Sequence, residues 1–126
     1  MKTMTQASTP GASLAFELSG EHDTLPESEV LACMRALDIE HNLVKSLEQC
    51  LLLQIGSDPC EISKILSTRL AMTHHIVSVI LKCDTLPTSI LESVRAAEIT
   101  VPRGETFNVR VKQIKGSFIP STRMER

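Results

Sequence analysis

Apolar positions along most of this chain recur at intervals of three and four, the spacing of one helical face. Val30, Leu31, Met34 and Leu37 form a first run, which Leu43, Val44, Leu47, Leu51 and Ile55 resume. No Gly or Pro interrupts residues 27–55, so one long helix and two helices bent near residues 38–42 both fit; ordinary helix lengths favour two. Thr24 and Glu27 have the spacing of a capping box, and Gly56 suits the left-handed residue that ends a helix. The clearest boundary is Asp58-Pro59-Cys60-Glu61, with a capping acceptor, a proline at the first helical position and an acid beside the positive helix end. A helix is predicted to start there.

Polar and apolar residues follow other rules at the two ends. Residues 1–23 are rich in Thr, Ser, Gly and Pro and read as an arm, with a strand at Ser13–Leu18 that can join a sheet elsewhere. After Lys82 the helical pattern stops at residues 84–87, because the residue before a proline disfavours helix, and Thr88 then caps a short helix carrying Ile90, Leu91 and Val94. Phe107, Val109 and Val111 alternate with Asn108, Arg110 and Lys112, a two-residue period. With Ile99-Thr100-Val101 and a Pro102-Arg103-Gly104 turn, this predicts a hairpin whose polar face is basic. The domain reading is an arm over 1–23, one mostly helical domain over 24–119 and a frayed tail over 120–126.

Residues 58–82 carry the sharpest functional pattern. They divide into two short helices with a tight bend, and Leu66, Leu70, Met72, Val77 and Ile80 stand where such a pair packs. Thr73 caps the second helix, and His74, Ser78 and Lys82 follow at i, i+4 and i+8 on its outer side, with His75 beside them. Imidazole, hydroxyl and ammonium groups in such a stripe can meet base edges or phosphates in a major groove. The same stretch also fits one uninterrupted amphipathic helix, since Ile62, Ile65, Leu66, Leu70, Ile76, Val77 and Ile80 keep to one face.

In Leu70-Ala71-Met72-Thr73, Val77-Ser78, Ile80-Leu81 and Pro87, the central stretch resembles the helix-turn-helix of phage-repressor-like regulators. The later ETFNVRVKQIKG, residues 105–116, resembles the wing of a MarR-type winged helix. The expected fold is therefore mainly α: a small helical domain with a helix-turn-helix and a wing-like C-terminal β-hairpin. The resemblance implies a dimeric regulator bound to double-stranded DNA.

Charge sharpens that picture. The net charge of −2 conceals a split: residues 1–60 hold nine acids and three bases, whereas residues 101–126 hold six bases and two acids. Arg103, Arg110, Lys112 and Lys115 are thereby the candidate phosphate contacts, and Thr73, His74, His75, Ser78 and Lys82 the candidate groove contacts. Helices within 27–55 would carry homodimerisation or effector sensing. Only three aromatic residues occur, all Phe, which argues against a single-strand binder that stacks bases on rings.

Other chemistry finds little support. Cys33, Cys50, Cys60 and Cys83 form no CxxC pair, adjacent His74 and His75 on a helix diverge by about 100°, and no phosphate loop, GxSxG or HExxH occurs. No enzyme activity, metal or cofactor is expected. With no secretory apolar run at the start and no span long enough for a bilayer, a cytoplasmic (or nuclear) protein with reduced thiols is the simplest reading. The alternative function is a helical adaptor or chaperone-like protein–protein interaction module that binds no nucleic acid.

Overall fold

The computed structural model describes residues 12–112. The described residues fall into two compact units, the first ending at Val79 and the second starting at Ile80. The first unit runs β1 (Ser13–Leu18), α1 (Leu25–Ala36), β2 (His41–Leu47), β3 (Cys50–Ile55), α2 (Pro59–Ser67) and β4 (Thr73–Ser78). Its four strands form one antiparallel sheet in the order β2-β3-β1-β4. Two βαβ crossovers are thus interleaved, the split βαβ or ferredoxin-like plait.

The strand expected at Ser13–Leu18 is present, and it is a central strand rather than part of an arm. Alternation puts Leu14, Phe16 and Leu18 on one face, where all three are buried. Leu51, Leu53 and Ile55 of β3 extend that face. Val30 and Met34 of α1, and Ile62 and Leu66 of α2, each four residues apart, bury against it, so both helices cover the same side of the sheet. Among the described residues the core is aliphatic apart from Phe16, and none of the buried residues is polar or charged.

Helix α2 begins where the sequence predicts. Asp58 is its N-cap, Oδ1 accepts from the Cys60 amide at 3.2 Å, and Pro59 opens the first turn. The start of α1 is built differently. Thr24 makes no side-chain cap; instead His22 Nδ1 accepts from the Leu25 amide at 3.0 Å, and Glu27 Oε2 accepts from Ser46 Oγ of β2 at 2.6 Å. A left-handed Asp38 (φ 54°) follows α1, and a left-handed Gln49 (φ 60°) lies in the turn from β2 to β3.

The mainly-α expectation is overturned: 31% of the structure is helical and 25% is strand. The second half of the run over 27–55 is a β2–β3 hairpin, so a dimer through helices there retains only α1 as a helix, and Gly56 follows a strand instead of ending a helix. Residues 73–78 form an edge strand, so neither the second helix of a helix-turn-helix nor one long helix over 59–82 exists. The physical reason is composition. THHIVS is all β-branched, imidazole and hydroxyl side chains, which are weak helix formers and suit a pleated surface.

In the second unit, α3 (Pro87–Ala96) is the short helix expected there, but it opens at Pro87 with Leu86 as N-cap and without the side-chain cap expected from Thr88. The predicted turn is there too, with Gly104 at φ 86° and the Glu105 amide donating to the Pro102 carbonyl at 3.0 Å. The wing-like hairpin is not: residues 99–101 and 107–112 form no strand among the described residues. Among those residues, no helix is long and apolar enough to cross a membrane.

Candidate functional site

The residues predicted to enter a groove lie on or just past the edge strand β4. Thr73, His74, His75 and Ser78 belong to it, and Lys82 lies beyond it in the second unit. Register separates their faces. His75 pairs with Glu17 and Val77 with Ala15, on the side away from the helices; Ile76 pairs with Phe16 and Ser78 with Leu14, on the helix side. A polar stripe at i, i+4 and i+8 is therefore not formed, and no helix presents these residues to DNA.

On the face away from the helices, one cross-strand row runs His75, Glu17, Cys50, Leu47 through all four strands. His75 Nδ1 meets Glu17 Oε2 at 2.9 Å, with the histidine largely exposed. Burial, and then the Glu17 carboxylate beside it, push the Cys50 thiol above the ordinary cysteine range. Such a thiol stays protonated and is a poor nucleophile. Leu47 and Val77 on this face are about half-exposed, while Leu52 is nearly buried.

A cleft opens on the helix side, between α2 and β4. It has a volume of about 350 Å³ and is lined by Ser63, Lys64, Ser67, Leu70, Thr73, His74 and Ile76, with His75 at its margin because that ring is held by Glu17 on the other face. Ser63, Lys64 and Ser67 share one side of α2, as residues four apart and their neighbour do. The serine hydroxyls donate to the carbonyls of Cys60 and Lys64 at 3.0 and 2.8 Å, leaving their oxygens able to accept. Thr73 Oγ1 is buried with no hydrogen-bond partner. No carboxylate lines the cleft.

The floor of this region is held from a distance. Glu29 of α1 accepts from the amides of Ala71 and Met72, at 3.1 and 3.0 Å, and so fixes the loop that feeds β4. Neither the cleft nor this carboxylate contact was visible in the sequence pattern, because both join residues far apart in the chain. The one local signal was Ser63 and Ser67 four apart, beside Lys64, on a helix whose start was already clear.

The phosphate-contact set is placed in part. Arg103, Arg110 and Lys112 are exposed in the irregular stretch after α3, and Lys115 lies outside the described residues. The remaining histidines serve locally: His22 caps α1, and His41 Nδ1 contacts the Ile39 carbonyl at 2.7 Å. Among the described residues no three of His, Cys, Asp and Glu come together as a metal site would require, and the four cysteines are free thiols. Compared with known proteins, the chain matches no family model, no curated protein and no solved structure.

Proposed function

We propose that this chain is a non-catalytic nucleic-acid-binding module of the cytoplasm or nucleus that holds the phosphate backbone of double-stranded DNA through its basic C-terminal stretch. The observation that carries this reading is the charge split. Residues 101–126 hold six bases against two acids, while residues 1–60 hold nine acids against three bases. Arg103, Arg110 and Lys112 are exposed. Cations clustered on one stretch release counterions from a duplex. Because β4 is a strand, the base-reading role of His74, His75 and Ser78 on a recognition helix is withdrawn. Phosphate contacts position a protein without reading sequence, so the regulator reading narrows to backbone binding.

The test is fluorescence anisotropy with random duplex DNA at low and then near-physiological salt. Binding should weaken steeply with salt, and an Arg110→Ala/Lys112→Ala variant should flatten the logarithmic slope by about two. Absence of binding even at low salt would remove this reading. It would leave the protein–protein interaction module, for which the half-exposed Leu47 and Val77 on the sheet face supply apolar contact.

A further inference from the structure

We infer that the outer edge of β4 is a self-association surface, where a second copy of this chain adds its own β4, antiparallel, about a two-fold axis at Ile76. The sheet has two edge strands, β2 and β4. A strand edge offers unpaired amides and carbonyls to any other strand, and folded proteins blunt it with lysine, proline or a bulge. β2 is blunted in this way: it carries Lys45, and its register shifts between Leu43 and Lys45. β4 is open. Thr73–Ser78 contains no Lys, Arg, Asp, Glu or Pro, and its one register shift lies at the start of the strand, opposite Glu17 and Leu18.

The ladder fixes which groups are offered. The Val79 amide donates to the Ser13 carbonyl at 2.9 Å, so Val77 and His75, two and four residues earlier, also turn their backbone groups toward β1. Ile76 and Ser78 turn theirs outward, where among the described residues no strand lies. A two-fold axis at Ile76 sets that residue opposite itself, so that the two copies exchange both amide–carbonyl bonds. Val77 then faces His75 of the second copy, which covers its half-exposed side chain, and Ser78 faces His74. With no lysine, arginine or carboxylate in β4, none meets its like across the axis. The cleft favours this register: Ile76 and Leu70 form its apolar part, and the second copy's Ile76, lying beside the first, fills space left open there. Because the contact is isologous and β2 is blunted, association closes at two copies and an eight-stranded sheet.

The contact uses none of Arg103, Arg110 and Lys112, so it stands or falls separately from duplex binding. Sedimentation equilibrium of the full chain, from low to high micromolar concentration, should show a reversible monomer–dimer equilibrium and no larger species. Val77→Lys places a charge on the exposed face of the edge, and Ser78→Pro removes an outward amide that no strand of the chain uses. Each should raise the dissociation constant by about tenfold or more with the circular dichroism spectrum unchanged. Register is tested by cross-linking, with the exposed Cys60 and Cys83 replaced by Ser. Ile76→Cys should yield a disulfide-linked dimer on mild oxidation, since Cα atoms of such a pair lie about 5.5 Å apart, within disulfide reach. Val77→Cys should not, because its two copies are offset by two residues along the strands. The surface is overturned if the chain stays monomeric throughout, including the case in which the Ile76 and Ser78 amides of that monomer resist hydrogen exchange because another part of the chain covers them. It is equally overturned if the dimer persists in both Val77→Lys and Ser78→Pro, or if Val77→Cys cross-links as readily as Ile76→Cys.

Discussion

The Glu29 carboxylate of α1 accepts the backbone amides of Ala71 and Met72, which lie 42 and 43 residues further along the chain. One side chain thereby ties the first crossover to the loop that leads into the last strand. Hydrogen bonds to a charged acceptor contribute about 1.5–3 kcal/mol each, and the half-buried setting of Glu29 puts the pair toward the low end. Glu29→Ala is expected to lower stability by about 3 kcal/mol in total. Glu29→Gln should cost less, since its carbonyl keeps one acceptor. Hydrogen exchange gives the direct check: the Met72 amide should lose protection first in Glu29→Ala, and unchanged protection there would disprove the tie.

Among the described residues Phe16 is the only aromatic side chain in the core, fully buried on a central strand between Leu51 of β3 and Ile76 of β4. Truncation to Ala leaves a cavity walled by both helices and the sheet, and should cost about 3–5 kcal/mol. Small domains have only about 5–15 kcal/mol in total, so most of the folded population is at risk. With no Trp and no Tyr in the chain, urea unfolding is best followed by circular dichroism. A midpoint shift worth less than about 1 kcal/mol would mean that the site collapses around the smaller side chain.

Cys50 gives the chain an alkaline sensitivity of defined sign. Burial and the neighbouring Glu17 raise the native thiol above its ordinary value, so the folded state holds that proton more tightly than the unfolded state does. The resulting stabilisation is fully present below the unfolded thiol pKa of about 8.5, and is lost as pH rises through the higher native value. The parent chain should therefore lose stability above about pH 8.5 by a margin that Cys50→Ala does not share. Peptide mapping after brief alkylation should also find exposed Cys60 and Cys83 modified well before Cys50. Equal rates at Cys50 and Cys60 would sink the assignment.

Legibility in the sequence divided along a physical line. Features fixed by neighbouring residues were readable: the Asp58-Pro59 helix start, the alternation in Ser13–Leu18, the short helix after residues 84–87 and the turn at Pro102. Features fixed by partners far along the chain were not. Leu43, Leu47, Leu51 and Ile55 are spaced by four, which is close to a helical turn and is also an even number, so helix and strand both accept it. His74, Ser78 and Lys82 share that ambiguity, and their stripe dissolved once residues 73–78 paired with β1. What decided both cases was the β-branched content of Thr73–Ser78 and the turn at Glu48-Gln49, signals weaker than the periodicity they overruled. Of the candidate contacts, the neighbours Thr73 and His74 do line one cleft, but its Ser63, Lys64 and Ser67 wall went unread.

The central place of β1 has a consequence for how the protein is made. Its partners are residues 50–54 on one side and 73–78 on the other, so the earliest strand off the ribosome is the last to be enclosed. At about 5–20 residues per second, some sixty residues of further synthesis take roughly 3–12 s. Until β3 emerges partway through that interval, Leu14, Phe16 and Leu18 have no strand to pair with, and a nascent chain stalled before β3 would present them to chaperones or to other chains.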